Sequence, residues 1–160
     1  MSNNRRYEIS ENEKSVNNIL YEIAYSFKKK YKLYPIATIV AMPGGIVKEL
    51  GLDFQIIGPL SKDEIRRILI NLAQEFLVFV NSDEAVRPYL ENYPFEIKNI
   101  EITLFLKDSK GREIEDPHIG IAGISRGRLD YEILVITDIP KVISRVEESY
   151  EEALKALQKH

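Results

Sequence analysis

The segment Ser61–Val80 constrains the fold of this chain more than any other. Ser61 and Glu64 form a capping-box pattern, in which hydroxyl and carboxylate each satisfy a free backbone amide at a helix start. Behind them Ile65, Ile68, Leu69, Leu72, Ala73, Phe76, Leu77, Phe79 and Val80 recur at helical spacing, and Ile70 and Val78 fill other sides. A helix apolar over most of its circumference is expected to be buried on more than one face. It therefore reads as the element around which the rest of the chain is built.

The flanking segments supply the partners. Ser10 and Glu13 give a second capping pattern, followed by an apolar stripe of Val16, Ile19, Leu20, Ile23, Ala24 and Phe27. Tyr34-Pro35 closes that helix, because the residue before proline avoids helical backbone angles. The β-branched run Ile36–Met42 reads as a strand, Pro43-Gly44-Gly45 as a turn, and Leu52–Ile57 as a second strand closed by Gly58-Pro59. A short helical turn is expected around Glu84–Leu90. From Ile97 the period becomes two: Ile100, Ile102, Leu104 and Leu106 alternate with Glu101, Thr103, Phe105 and Lys107. After the turn Asp108–Gly111 come strands Ile119–Ile124 and Leu129–Ile136, joined through Ser125-Arg126-Gly127-Arg128 into an antiparallel meander. Asp138 is expected to cap a last helix with Pro140 in its first turn and Val142, Ile143, Val146, Tyr150, Ala153, Leu154 and Leu157 as its stripe.

The resulting order, α-β-β-α-β-β-β-α, places strands in adjacent runs. That predicts an α+β fold, an antiparallel sheet covered by helices, rather than a parallel doubly wound one. With 160 residues and no repeat, low-complexity tract or linker, the chain reads as one domain over 1–160, with residues 1–10 as a flexible N-terminal tail. The 22 basic and 25 acidic side chains are interspersed and leave a net charge of −3, so no concentrated basic face points to nucleic acid. Lys28-Lys29-Lys30 with Lys32, and Arg66-Arg67, read as solvated helix faces. The absence of cysteine excludes disulfides, thiolate metal sites and a Cys nucleophile. No apolar run reaches the roughly 18 residues needed to span a bilayer, and Met1–Lys14 lacks the apolar region of a signal peptide. As written, the chain reads as cytoplasmic, or as exported if a leader has been removed.

The string RPYLENYPF, Arg87–Phe95, followed by Asn99-Ile100, a strand and Asp108-Ser109-Lys110-Gly111, resembles a family of small uncharacterised bacterial proteins. Gly44-Gly45, Leu52-Asp53-Phe54 and the helix from Ser61 look like parts of the same pattern, which would cover residues 15–136. The resemblance implies a small domain of a recurring bacterial type and carries no activity, cofactor or catalytic residue. Physically, Pro88 and Pro94 fix two backbone angles and remove two donors. Tyr89, Leu90, Tyr93 and Phe95 can seal the passage from the buried helix into the sheet. Arg87 could hydrogen-bond exposed carbonyls at that helix end or hold a ligand carboxylate, and the structural role is favoured.

Candidate chemistry is sparse. His118, in Asp116-Pro117-His118, is the only interior histidine; with Arg126 and Arg128 across a hairpin it could form an acid/base or anion site, though the spacing matches no recognised motif. His160 is terminal and expected to fray. Glu113, Glu115 and Asp116 cluster before one strand, and Asp130 and Glu132 share a face of the next. Paired acids can bind a divalent cation or share acid/base work. Acids alternating with Leu129, Tyr131 and Ile133 nevertheless read as a solvent-facing strand surface, and Glu147, Glu148, Glu151 and Glu152 as an exposed helix face, so no metal or cofactor is expected. Met42-Pro43-Gly44-Gly45 lacks the lysine and hydroxyl of a phosphate loop, and no nucleophile elbow or zinc spacing is present. Gly120, Ala122 and Gly123 leave room for close helix packing rather than for a ligand. The leading expectation is a non-enzymatic binding or protein-interaction domain for a protein or a small apolar ligand. The alternative is a small enzyme using carboxylates such as Asp116, or His118, at the open side of the sheet. Self-association through a terminal amphipathic helix is a further expectation.

Overall fold

Residues 9–159 are described by a computed structural model. They run α1 (Glu11–Tyr31), β1 (Tyr34–Ala41), β2 (Glu49–Ile57), α2 (Lys62–Ser82), β3 (Ile100–Lys107), β4 (Ile119–Ser125), β5 (Arg128–Ile136), β6 (Pro140–Ser149) and α3 (Tyr150–Gln158). Single 3-10 turns occupy Pro43–Gly45, Arg87–Tyr89 and Ile97–Asn99. The expectations for the N-terminal tail and for His160 fall, all but Ile9 and Ser10, outside the described residues.

The strands form one sheet in the order β1-β2-β3-β4-β5-β6. Every neighbouring pair is antiparallel except β2 and β3, which run parallel over Leu50–Ile57 and Ile100–Lys107. The α+β class and the meander of β3, β4 and β5 are as expected. The parallel pair is not a departure in class: it is the geometric consequence of α2 crossing from the end of β2 back to the start of β3.

Both ends of the helices follow from local chemistry. Ser61 N–H donates to Glu64 Oε2 at 2.9 Å and Glu64 N–H to Ser61 Oγ at 3.1 Å, so both halves of the capping box form. Ser10 Oγ accepts from the Glu13 amide at the start of α1, which ends with Lys32 in the left-handed region at φ 56°. The chain therefore turns before Pro35, which lies inside the edge strand β1, where a missing donor is tolerated.

Side chains alternate across the sheet. Leu50, Leu52 and Phe54 of β2, Ile100, Ile102, Leu104 and Leu106 of β3, Ala122 and Ile124 of β4, and Leu129, Tyr131 and Leu134 of β5 are buried. Their alternates, among them Asp53, Glu101, Thr103, Phe105, Asp130 and Glu132, remain partly exposed. One face therefore holds the core and the other is open. On the core face α1 lies against β1 and β2, α2 against β3 and β4, and α3 against β5 and β6, with α2 touching both other helices. Ala122 lets α2 approach β4 closely. Gly123 sits on the open face instead, where a Cβ would meet Ile102 O at 2.7 Å, so it serves strand packing and not the helix. α2 buries Ile65, Leu69, Leu72, Ala73, Phe76 and Val80, while Val78 points to solvent in line with Arg67, Asn71 and Gln74.

The last helix is shorter than its apolar spacing predicts. Residues 140–149 form β6, and α3 begins at Tyr150 with Ser149 Oγ accepting from the Glu152 amide at 3.1 Å. Val142 and Val146 fit a period of two as well as one near four, and their branched side chains favour extended backbone. The deciding contact is tertiary. Glu148 is half-buried rather than exposed, receiving Arg66 Nε at 2.7 Å, Arg66 Nη2 at 2.9 Å and the Tyr131 hydroxyl at 2.7 Å. Arg66 also donates to Asp63 at 2.5 Å. Burial opposes ionisation of Glu148, but the hydrogen bonds from Arg66 and Tyr131 prevail and hold its carboxyl below the usual range.

Because both partners are desolvated, removing one strands the other. Arg66→Ala should cost about 3 kcal/mol or more in urea denaturation, and Arg66→Met combined with Glu148→Leu should recover most of it. A loss no larger than that of an exposed ion pair would show that the buried pair does not hold β6 to α2.

Candidate functional site

Between α1 and the edge strand β1 runs a groove of about 630 Å³. Its origin is helical periodicity. α1 turns Val16, Ile19, Leu20, Ile23 and Phe27 into the core, which brings Asn17, Tyr21, Ala24, Tyr25 and Lys28 onto the adjoining face. The opposite wall is Tyr34, Pro35, Ile36, Ala37 and Thr38, with Leu20 and Leu52 at the base. Tyr21, Tyr25 and Tyr34 are 75%, 51% and 60% exposed, so three aromatic rings gather at one groove rather than standing singly. None of their hydroxyls has a hydrogen-bond partner among the described residues.

Two lysines of α1 border this groove. Lys28 Nζ lies 5.9 Å from the Tyr34 ring centroid and Lys29 Nζ 4.6 Å from that of Tyr25, both within cation–π range. The edge of β1 is irregular, with a register shift between Pro35 and Ala37. A surface of rigid aromatic planes with cations at its border suits apolar and planar groups carrying negative charge.

The residues singled out in the sequence are dispersed. Arg87 donates from Nη2 to Asn81 O at 3.1 Å at the C-terminal end of α2 and stacks 4.6 Å from the Tyr93 ring, the structural role that was favoured. The rest of that string is an anchor. Asn81 brackets Phe95 through bonds to its amide at 2.7 Å and its carbonyl at 3.0 Å, and Val47 exchanges backbone bonds with Tyr89 and Glu91. Phe95 is buried as expected of a seal, whereas Tyr93 lies outside it. His118 and Asp116 are exposed at one end of β4, and Arg126 and Arg128 lie at the other end, so the histidine and the arginines do not meet.

Arg126 and Arg128 do share a second hollow, of about 350 Å³, on the open face of the sheet, with Glu101, Ser125, Asp130, Arg145 and Glu147. The tight turn Arg126-Gly127, with φ 51° and 76°, places the first arginine at its rim. Arg145 lies 3.0 Å from Glu147, 3.7 Å from Asp130 and 3.8 Å from Glu132, and Arg128 lies 3.6 Å from Glu147. Ser125 donates to Glu101 at 3.0 Å. The acids are thus largely neutralised within the face. Among the described residues no three His, Asp or Glu side chains converge as they would around a metal ion.

Two carboxyls here are held above the usual range. Burial raises Asp130, with Arg145 opposing it and Glu132 and Glu147 adding to it. Burial also raises Asp53, opposed by a hydrogen bond from Thr103 and reinforced by Glu101. Asp53 Oδ1 has no hydrogen-bond partner. A carboxyl that binds its proton more tightly in the folded state weakens the fold as pH rises out of the ordinary carboxylate range. Asp53→Asn should therefore raise the melting temperature at pH 7, and solvent screening of this partly exposed group limits the gain to about 1–2 °C. The gain should vanish below about pH 3, where the carboxyl is protonated in both states. Calorimetry across that interval checks it, and a gain independent of pH would contradict it.

Comparison with protein-family models, with curated proteins and with solved structures returned no match. The reading of the site rests on its own geometry.

Proposed function

We propose that this chain is a non-enzymatic binding domain that holds an extended segment of a partner protein in the groove between α1 and β1. The observation that carries this reading is the trio of exposed tyrosines facing one groove, Tyr21, Tyr25 and Tyr34. Aromatic side chains with few rotatable bonds provide large contact areas at low entropic cost, and they are enriched at protein interfaces. Charge narrows the partner further. The chain carries a net charge of −3, yet Lys28 lines this groove and Lys29 lies over the ring of Tyr25. A segment with apolar side chains flanked by acidic ones is the complement of that surface. The resemblance of Arg87–Phe95 to a bacterial family is compatible with this reading and adds no activity to it.

A small enzyme on the open face is the second reading. It draws on the raised carboxyls of Asp53 and of Asp130, the latter sharing a hollow with the exposed Arg126, and it would have to work without His118.

Selection of twelve-residue peptides from a random display library against the full chain separates the two. The expected binders combine aromatic or aliphatic with acidic residues. Tyr25→Ala and Tyr34→Ala should each weaken them at least tenfold, about 1.4 kcal/mol, without lowering the melting temperature. Lys28→Glu should weaken them most at low salt. Peptides that bind the double tyrosine variant undiminished, or shifts confined to amides of Arg126–Arg128 in an NMR titration, would sink the groove reading.

A further inference from the structure

The groove beside α1 coincides with a free sheet edge, because β1 is the first strand of the sheet and pairs with β2 alone. The ladder fixes which backbone groups of β1 face outward. Gly58 N–H donates to Lys107 O at 2.8 Å, so along the unbroken register of β2 and β3 the even-numbered residues of β2 turn toward β3. Gly51 and Asp53 then turn toward β1, where they pair with Ile39 and Ala37. Ala41 O accepts from Lys48 N–H at 2.8 Å, in the same phase. Thr38 and Val40, between these residues, therefore point N–H and C=O away from the sheet, where neither has a partner among the described residues. Their side chains lie opposite buried Leu52 and Leu50, on the face that carries the helices, yet both are exposed. Edge strands usually discourage pairing with proline, charge or a bulge. Pro35 and the register shift before Ala37 do so at one end of β1, whereas Thr38–Val40 has no such defence.

We infer, resting on the groove reading above, that the partner segment adds to the sheet as a further strand, bonded to the outward N–H and C=O groups of Thr38 and Val40. A groove between a helix and an edge strand suits this mode of recognition. Main-chain bonds hold the extended segment, and every second side chain enters the groove and is selected there. On the added strand one set of side chains turns to the helix-bearing face, toward Tyr21, Tyr25 and Tyr34, and the other to the open face beside Ala37 and Ile39. The partner is thus a segment with aliphatic or aromatic residues at alternate positions. Pro35 supplies no donor, so the new ladder ends there, next to Tyr34. Lys28 lines the groove at that end, 5.9 Å from the Tyr34 ring. An acidic residue where the segment leaves the ladder is its electrostatic complement.

Peptides selected from the display library on the full chain are the probe. Hydrogen exchange followed by NMR should slow about tenfold at the Thr38 and Val40 amides when a peptide is bound. The amides of Ala37 and Ile39, already turned toward β2, should change little. N-methylation of the peptide backbone should weaken binding about tenfold at alternate residues and have little effect at those between. Thr38→Pro, which removes one outward donor on an edge strand where proline is tolerated, should weaken binding by about the same factor with the melting temperature kept. Tyrosine-dependent binding that leaves both amides exchanging freely, or that tolerates N-methylation at every residue, overturns strand addition and leaves the groove reading standing. A library that yields no binder overturns both.

Discussion

Burial of α2 is the constraint on which the remaining architecture depends. Its apolar residues face the middle of the sheet and both neighbouring helices, so it cannot be satisfied by one contact surface. Lying across β3 and β4 while connecting β2 to β3, it forces those two strands to run parallel. The hairpin of β1 and β2 is then placed on one flank and the strands from β4 to β6 on the other. α1 and α3 fill the two sides of the central helix, and the opposite face of the sheet is left open.

The same arrangement explains where surface of uncommon character appears. α1 covers β1 and β2 beside the central helix, and the face it turns outward there carries Tyr21 and Tyr25 toward β1. At the other edge α3 is only nine residues long, and Val146 of β6, paired with Tyr131, stays half-exposed beyond it. The buried Arg66–Glu148–Tyr131 cluster stands between these regions and ties β6 to α2. A paired charge in a core specifies position more than it adds stability, since burial of the ions offsets most of their attraction. In this chain the position specified is that of the last strand.

Reading the elements from the residues succeeded where a local signal sufficed. The Ser61/Glu64 box, the alternation of β3 and the Arg126-Gly127 turn all depend on neighbours within a few positions. The segment 140–149 differs from its helical expectation because Val142, Ile143, Val146 and Tyr150 satisfy a helical spacing as well as an extended one. Glu148, placed on an exposed helix face by that spacing, is held by a residue 82 positions away. The groove was missed for a related reason. Tyr21 and Tyr25, four apart beside the apolar stripe of α1, were the available signal, but without the position of β1 they could not be told from ordinary surface residues. The pairing of His118 with Arg126 and Arg128 failed because a hairpin brings together residues near its turn, and the histidine lies at the opposite end of β4.

By itself, the sequence determined the class of fold, the caps and stripes of α1 and α2, the strands up to β5, and the central place of α2. Those follow from hydrogen bonds and periodicities that act over one or two turns of chain. Only the tertiary structure decided that β2 and β3 run parallel, that residues 140–149 complete the sheet, and that three tyrosines face one groove. Each of these depends on pairs distant in sequence, whose meeting is set by how the helices share one face of the sheet and not by any local preference.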